Sequence, residues 1–224
     1  MYIQISTRCN YACDHCCFSC GKKGSDMSMA IFRKALALAS DDGDTVILGG
    51  GEPTLHPNFW EMLGLALGNS SDEGGVWLAT NGTVTDTAVR LANMARKGIL
   101  GVCLSRTQWH REQRIQPDAR VLRAFEGVGK RTFDANRDDM REIREMTGER
   151  GTPFAVGRAA EWGVEGCCCD GIHVDPDGTI FECGCRLVSM GTVENPAIPE
   201  EYYERDEKCS RVAAKTREEE LENA

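Results

Sequence analysis

Between Cys9 and Cys20 the chain places five cysteines in twelve positions, and the remaining elements have to arrange themselves around that loop. Cys9, Cys13 and Cys16 follow a C-x3-C-x2-C spacing directly after the alternating run Tyr2-Ile3-Gln4-Ile5-Ser6-Thr7. Alternation of period two predicts a strand, so three thiols project from one loop at the end of a first strand. A closed structural zinc site takes four ligands, commonly from two separated C-x2-C knuckles; a cubane held by three thiolates keeps one iron open. The chain carries twelve cysteines and no signal peptide, which reads as metal ligation rather than disulfides and places it in the reducing cytoplasm. No apolar run nears the ~20 residues of a spanning helix, so no membrane is expected.

A second motif follows one predicted helix. The run Thr45-Val46-Ile47-Leu48 ends in Gly49-Gly50-Gly51-Glu52-Pro53, and consecutive glycines suit a backbone that a ligand approaches closely. In this order and spacing, the two stretches resemble the radical S-adenosylmethionine (radical SAM) superfamily. The resemblance implies a 4Fe-4S cluster on Cys9, Cys13 and Cys16, its open iron chelated by the amino and carboxylate groups of SAM, with Glu52 helping to hold the SAM ammonium. The position before Cys16 is usually aromatic in the family. Here it is His15, whose flat ring can lie against the adenine. The competing reading is a zinc loop beside an unrelated glycine turn.

The rest of the first 165 residues alternates strand and helix. Ser28 caps a helix from Met29 to about Ala39 with Ile31, Phe32, Ala35, Leu36 and Ala39 on one face. Pro57 opens a second helix with Phe59, Trp60, Leu63 and Leu67 at helical spacing. A strand over Val76 to Ala79 ends in Thr80-Asn81-Gly82, and Thr85 starts a helix that Gly98 stops. A fourth strand over Leu100 to Leu104 ends at Ser105-Arg106, and Pro117 opens a helix with Val121, Leu122 and Phe125. The fifth unit reads as a strand over Arg131 to Ala135 and a helix across Met140, Ile143 and Met146; Pro153 to Val156 reads as a sixth strand leading into Gly157-Arg158.

Alternating units predict an α/β fold with a parallel sheet. About six of them suit a partial (βα)6 TIM-like barrel better than the ~250 residues of a closed one. The site then belongs at the strand C-terminal ends, where all the motifs lie. Thr80-Asn81-Gly82, Ser105 and Gly157-Arg158 resemble the family's third, fourth and sixth strand ends, which implies cofactor contacts for Asn81, Ser105 and Arg158; each can instead merely satisfy a turn. Cys103 stands two residues before Ser105 and shares its face, as a hydrogen donor to a substrate radical or as a small buried apolar residue. Trp109 and His110 follow in a loop over the mouth. Cys17 and Cys20 receive no role.

From Gly166 the composition changes. Cys167, Cys168 and Cys169 precede a run Ile172-His173-Val174, the turn Asp175-Pro176-Asp177-Gly178 and a run Thr179-Ile180-Phe181, followed by Cys183 and Cys185. A Pro-Asp-Gly turn between alternating runs predicts a hairpin, here with cysteines at both ends. It resembles the short "twitch" form of the SPASM extension of radical SAM enzymes, including a cysteine five positions after the turn glycine. That implies a second 4Fe-4S cluster on one of Cys167 to Cys169 together with Cys183, Cys185 and Cys209. The same cysteines also describe a zinc ribbon. Residues 1–165 are thus read as the barrel, and 166–224 as a small cysteine-rich β-hairpin module with an acidic tail.

The expected function is reductive cleavage of SAM to a 5'-deoxyadenosyl radical that abstracts hydrogen from a substrate. Twitch and SPASM enzymes commonly modify peptides or proteins, so a peptide or protein side chain comes first and a small metabolite or nucleoside second. A first strand opening at Tyr2 leaves no leader-capturing domain before it. An electron donor such as flavodoxin or ferredoxin is implied. A net charge of -9 gives no basic footprint and disfavours nucleic acid. The rival from another class is a non-catalytic iron-sulfur or zinc redox sensor, which needs no SAM.

Overall fold

The computed structural model describes residues 1–41, 45–70, 75–106, 110, 116–126, 143–147, 157–161 and 171–204. Five strands run parallel: β1 Tyr2–Ser6, β2 Val46–Gly50, β3 Val76–Thr80, β4 Gly101–Arg106 and β5 Ile143–Thr147, side by side in the order β5-β4-β3-β2-β1. Helices α1 Met29–Asp41, α2 Phe59–Asn69, α3 Thr85–Arg96 and α4 Ala119–Phe125 alternate with them. The fold is α/β with a mostly parallel sheet. After a short helix α5 (Arg158–Glu161), strand β6 (His173–Val174) pairs parallel to the free side of β1. Then β7 Thr179–Phe181, β8 Ser189–Thr192 and β9 Asn195–Pro196 add on antiparallel, followed by α6 Glu201–Glu204. The C-terminal strands therefore extend the same sheet outward from β1.

Strand register sorts the side chains into two layers. Ile3, Leu48, Leu78 and Val102 stand in one row across four strands, and each is fully buried with Phe32, Phe59, Met62, Leu63, Leu91 and Val121 from the helices. Deleting one such core side chain costs about 2–5 kcal/mol, and this layer holds the fold. The neighbouring row, Tyr2, Ile47 and Trp77, faces the other way and lines a cavity. Alternation along each strand thus separates core from site.

Local signals account for the helix starts. Ser28 Oγ accepts from Ile31 N at 3.2 Å, and the Asp118 carboxylate accepts from Arg120 N at 2.7 Å. In α2, Trp60 turns to the surface under the Arg90 guanidinium, 4.0 Å from its ring centroid, while Met62 takes the buried place. The fifth unit differs from its sequence reading: Ile143–Thr147 is a strand, paired from Val102↔Ile143 to Arg106↔Thr147. The edge of β4 presents unpaired backbone groups, and pairing with them outweighs a weak helical spacing. Residues 131–135, the sixth strand expected at 153–156, Trp109, Cys167, Cys168, Cys169, Cys209 and the acidic tail lie outside the described residues.

Candidate cofactor site

A cavity of about 270 Å³ opens where the parallel strands end. Cys9, Cys13 and Cys16 line it together with Gly49, Gly50, Gly51, Glu52, Asn81, Ser105, His15 and Arg158. Residues that the sequence scatters over 150 positions therefore share one wall. Among the described residues no three His, Cys, Asp or Glu side chains close around a single metal ion; the three thiols instead share the cavity.

The cysteine loop is pinned at its base and top. Cys9 N donates to Gly21 O at 2.9 Å and Gly21 N to Thr7 O at 3.2 Å, so the loop leaves and returns to one point. Arg8 reaches from that base to Asp26 at 2.6 Å and Leu55 O at 2.7 Å. On the far side Arg158 donates through Nε to Cys13 O at 2.9 Å and through Nη2 to Cys20 O at 2.7 Å. Gly157 permits that approach, because a Cβ there would stand 2.4 Å from Cys17 O. The structure thus places Arg158 as a brace of the cysteine loop that also lines the cavity.

Amides face the sulfurs: Tyr11 N donates to Cys9 Sγ at 3.4 Å and Cys20 N to Cys16 Sγ at 3.3 Å, contacts that favour thiolates. Burial pushes the Cys9 and Cys13 thiols up to about 11, whereas the bond from the Cys20 side chain pulls Cys16 down. Metal uptake at Cys9 and Cys13 therefore has to displace protons. The chemistry of this donor set, three thiols with sulfur-directed amides beside a glycine wall, fits a thiolate-held iron-sulfur cluster. Close packing shapes the wall, since a Cβ on Gly49 would stand 1.9 Å from Tyr2 Oη and one on Gly51 2.5 Å from Arg8 O.

Glu52 is 1% exposed. Its Oε1 accepts from Thr54 N at 3.2 Å, Thr54 Oγ1 at 2.5 Å and Thr80 Oγ1 at 2.8 Å, and Oε2 accepts from Asn81 N at 2.7 Å. Burial raises its carboxyl against the opposing pull of those donors. The carboxylate ties the second strand-end loop to the third, and among the described residues Oε2 accepts a single hydrogen bond, which leaves a lone pair for another donor. Asn81 donates to Asn10 Oδ1 at 3.0 Å and accepts from Thr83 N and Oγ1 at 3.0 and 2.6 Å, joining the third loop to the cysteine loop. His15 packs edge-on to His110, with centroids 5.4 Å apart at 70°, and burial, with His110 second, lowers it to about 4.

Cys103 is fully buried in β4 beside Ala79, and the lining includes Ala79 and Ser105 but not Cys103. Sequence reasoning missed Tyr2, Tyr11, Phe18 and Trp77, and gave no role to Cys17 and Cys20; all six line the cavity. For Tyr2 and Trp77 a signal existed: each sits one place out of step with the core positions of its own strand. In the C-terminal strands, Cys183 and Cys185 lie with sulfurs 3.0 Å apart, and Arg186 reaches Asp175 Oδ2 at 3.4 Å and Cys17 O at 3.5 Å.

A family model described as the Radical SAM superfamily matches residues 3–157. The mycofactocin maturase MftC of Mycobacterium tuberculosis is 34% identical over 93 residues, which cover 40% of this chain and 23% of the relative; that of Mycobacterium ulcerans is 34% identical, with 40% and 24% covered. The match thus spans about a quarter of these relatives. Among solved structures, BtrN in complex with AdoMet and 2-DOIA superposes with a TM-score of 0.57 at 17% identity, covering 92% of this chain and 81% of that one. Native anSMEcpe with bound AdoMet and a peptide gives 0.54 at 15%, covering 90% and 79%. These two likenesses concern the fold.

Proposed function

This chain belongs to the radical SAM superfamily, and from that membership we propose that it is an enzyme that cleaves SAM reductively and acts on a peptide or protein side chain. The observation that carries the reading is the convergence of Cys9, Cys13 and Cys16 with Gly49 to Gly51 and Glu52 on one cavity at the strand ends. The likeness to a maturase and the resemblance of the C-terminal cysteines to a twitch extension favour a peptide over a small metabolite.

Cys9, Cys13 and Cys16 would hold a 4Fe-4S cluster, and the cavity beside them SAM. Bound there, the pair supplies one-electron cleavage of the sulfonium and hydrogen abstraction from a substrate. The protein's own residues hold the parts in place. Arg158 fixes the cysteine loop through two carbonyls, Glu52 and Asn81 lock the second and third loops together, and Glu52 Oε2 would accept from the SAM ammonium. Ser105 and the neutral ring of His15 contribute cavity wall. Cys183 and Cys185, with Cys209 and one of Cys167 to Cys169, form the site of a second 4Fe-4S cluster in this reading, and a flavodoxin or ferredoxin supplies electrons in the cytoplasm.

The test is anaerobic reconstitution with iron and sulfide, reduction with dithionite and quantification of 5'-deoxyadenosine after SAM addition. The wild-type chain releases it and Cys13→Ala does not. A wild-type protein that holds iron yet leaves SAM intact refutes the reading.

A further inference from the structure

The glycine wall has its amides engaged by the protein: Gly51 N donates to Ser6 O at 2.9 Å, Glu52 N to Arg8 O at 2.9 Å, and Gly50 N to the hydroxyl of Tyr2 at 3.0 Å. The third acceptor is a side chain, and it comes from the cavity row of β1. The phenol lies directly against Gly49, where only a glycine leaves room. Its ring belongs to an aromatic trio whose other two members, His173 and Phe18, lie 5.1 Å apart. His173 of β6 stacks on it at 5.0 Å and 12°, and Phe18 of the cysteine loop packs at 5.7 Å. His173 is itself fixed through Nε2 at 2.7 Å from Asp175 Oδ1.

A phenol oxygen that accepts from an amide still has its own proton to give. Among the described residues that proton meets no acceptor, and Tyr2 lines the cavity. Burial, with the Cys17 and Cys20 sulfurs adding to it, keeps the phenol protonated far above neutral pH. Tyr2 is half-buried at the cavity wall, so an oxygen on the molecule that occupies the cavity can take this proton. Glu52, next along the same wall, keeps an acceptor for a cation, and Tyr2 offers a donor to an anion. An ammonium and a carboxylate side by side are the two ends of an amino acid.

We propose that Tyr2 is a binding residue for the amino-acid end of SAM, its hydroxyl donating to the SAM carboxylate while accepting from Gly50. This rests on the reading of the cavity as a SAM site. Tyr2→Phe keeps the ring and its stacking and removes only the hydroxyl. Its KM and Kd for SAM rise about tenfold at wild-type iron content, and the melting temperature falls because the Gly50 amide loses its acceptor. Decarboxylated SAM, which lacks the acceptor, binds wild type and Tyr2→Phe equally. Unchanged SAM affinity in Tyr2→Phe, an equal loss with the decarboxylated analogue, or loss of iron each overturns the inference. A wild-type protein that binds no SAM refutes the proposed function itself, whereas SAM binding that ignores Tyr2→Phe refutes this inference alone.

Discussion

The cysteine loop after β1 and the cysteine pair after β7 carry the same ligand chemistry on opposite kinds of scaffold. The first is held by distant residues: Arg158 braces it from 138 positions away along the chain, Asn81 from 71 and Arg8 ties its base to Leu55. The second closes on itself. Gly178 N donates to Asp175 O, Asp175 N to Thr179 O and Arg186 N to Cys183 O, all within 2.9 to 3.0 Å. A site assembled from several strands places its thiols against a glycine wall that another loop supplies, which an open coordination position requires. A hairpin supplies thiols without such a wall. The two regions meet at Arg186, which sits over the Phe18 ring at 5.2 Å.

The largest expected effect separates the two outright. Cys9→Ala, Cys13→Ala or Cys16→Ala abolishes 5'-deoxyadenosine release, since a cluster does not keep its geometry with a thiolate missing. If both regions hold cubanes, the triple Cys9/Cys13/Cys16 variant keeps about four of about eight irons per chain; one zinc and no iron in that variant makes the hairpin structural instead. Retained release in any single variant breaks the assignment.

Next comes the scaffold difference. Arg158→Ala leaves two loop carbonyls without their charged donor, and iron loss to a chelator speeds up about tenfold, at roughly 1–3 kcal/mol for hydrogen bonds to a charged group. Any iron held at the hairpin is left untouched by the same change. Equal acceleration at both sites means that the brace serves overall stability only.

A smaller effect is expected at Glu52, where Glu52→Gln keeps the carbonyl acceptor but turns an amide toward a donor. SAM affinity falls about tenfold through loss of a charge-assisted bond, at unchanged iron content. An unchanged affinity makes Glu52 only a tie between two loops.

The smallest effect concerns the junction. Burial lowers His173, so it folds neutral, and the unfolded chain gains protons first as pH drops below its ordinary value near 6.5. Burial alone would raise Asp175, but the bond from His173 and the Arg186 charge outweigh it and hold the carboxyl below its ordinary range. Its stabilisation is present above that range and fades as acid protonates it. His173 therefore weakens the fold as the pH drops through about 6.5, and the melting temperature falls by about 2–5 °C between pH 7.5 and 5.5; the loss from Asp175 comes only at more acidic pH. His173→Phe, which keeps the stack on Tyr2, flattens the part of that drop due to His173. A profile that His173→Phe leaves unchanged excludes this source.

Much of this was readable before the structure because it is encoded locally. The C-x3-C-x2-C spacing, the glycine run and the cap at Ser28 each act within a few residues. What was not readable depends on neighbours in space. The strand at Ile143–Thr147 exists because β4 has an edge to pair, and the role of Tyr2 depends on a register with β2 that places its ring under Gly49. Arg158 was singled out as a cofactor contact; its grip on Cys13 and Cys20 became visible only with the loop folded. The turn at Asp175 to Gly178 predicts the antiparallel pairing of β6 with β7, whereas nothing local announces the parallel docking of β6 on β1 through His173.

The central claim is that three thiolates beside the glycine wall leave a coordination position that SAM occupies. Electron paramagnetic resonance of the reduced, anaerobically reconstituted Cys183→Ala/Cys185→Ala protein, recorded with and without SAM, tests it directly because the hairpin contribution is removed. The account predicts a cluster signal whose g values shift when SAM is added. A cluster signal that SAM leaves unchanged, or no signal from a protein whose Cys9, Cys13 and Cys16 are intact, would contradict it.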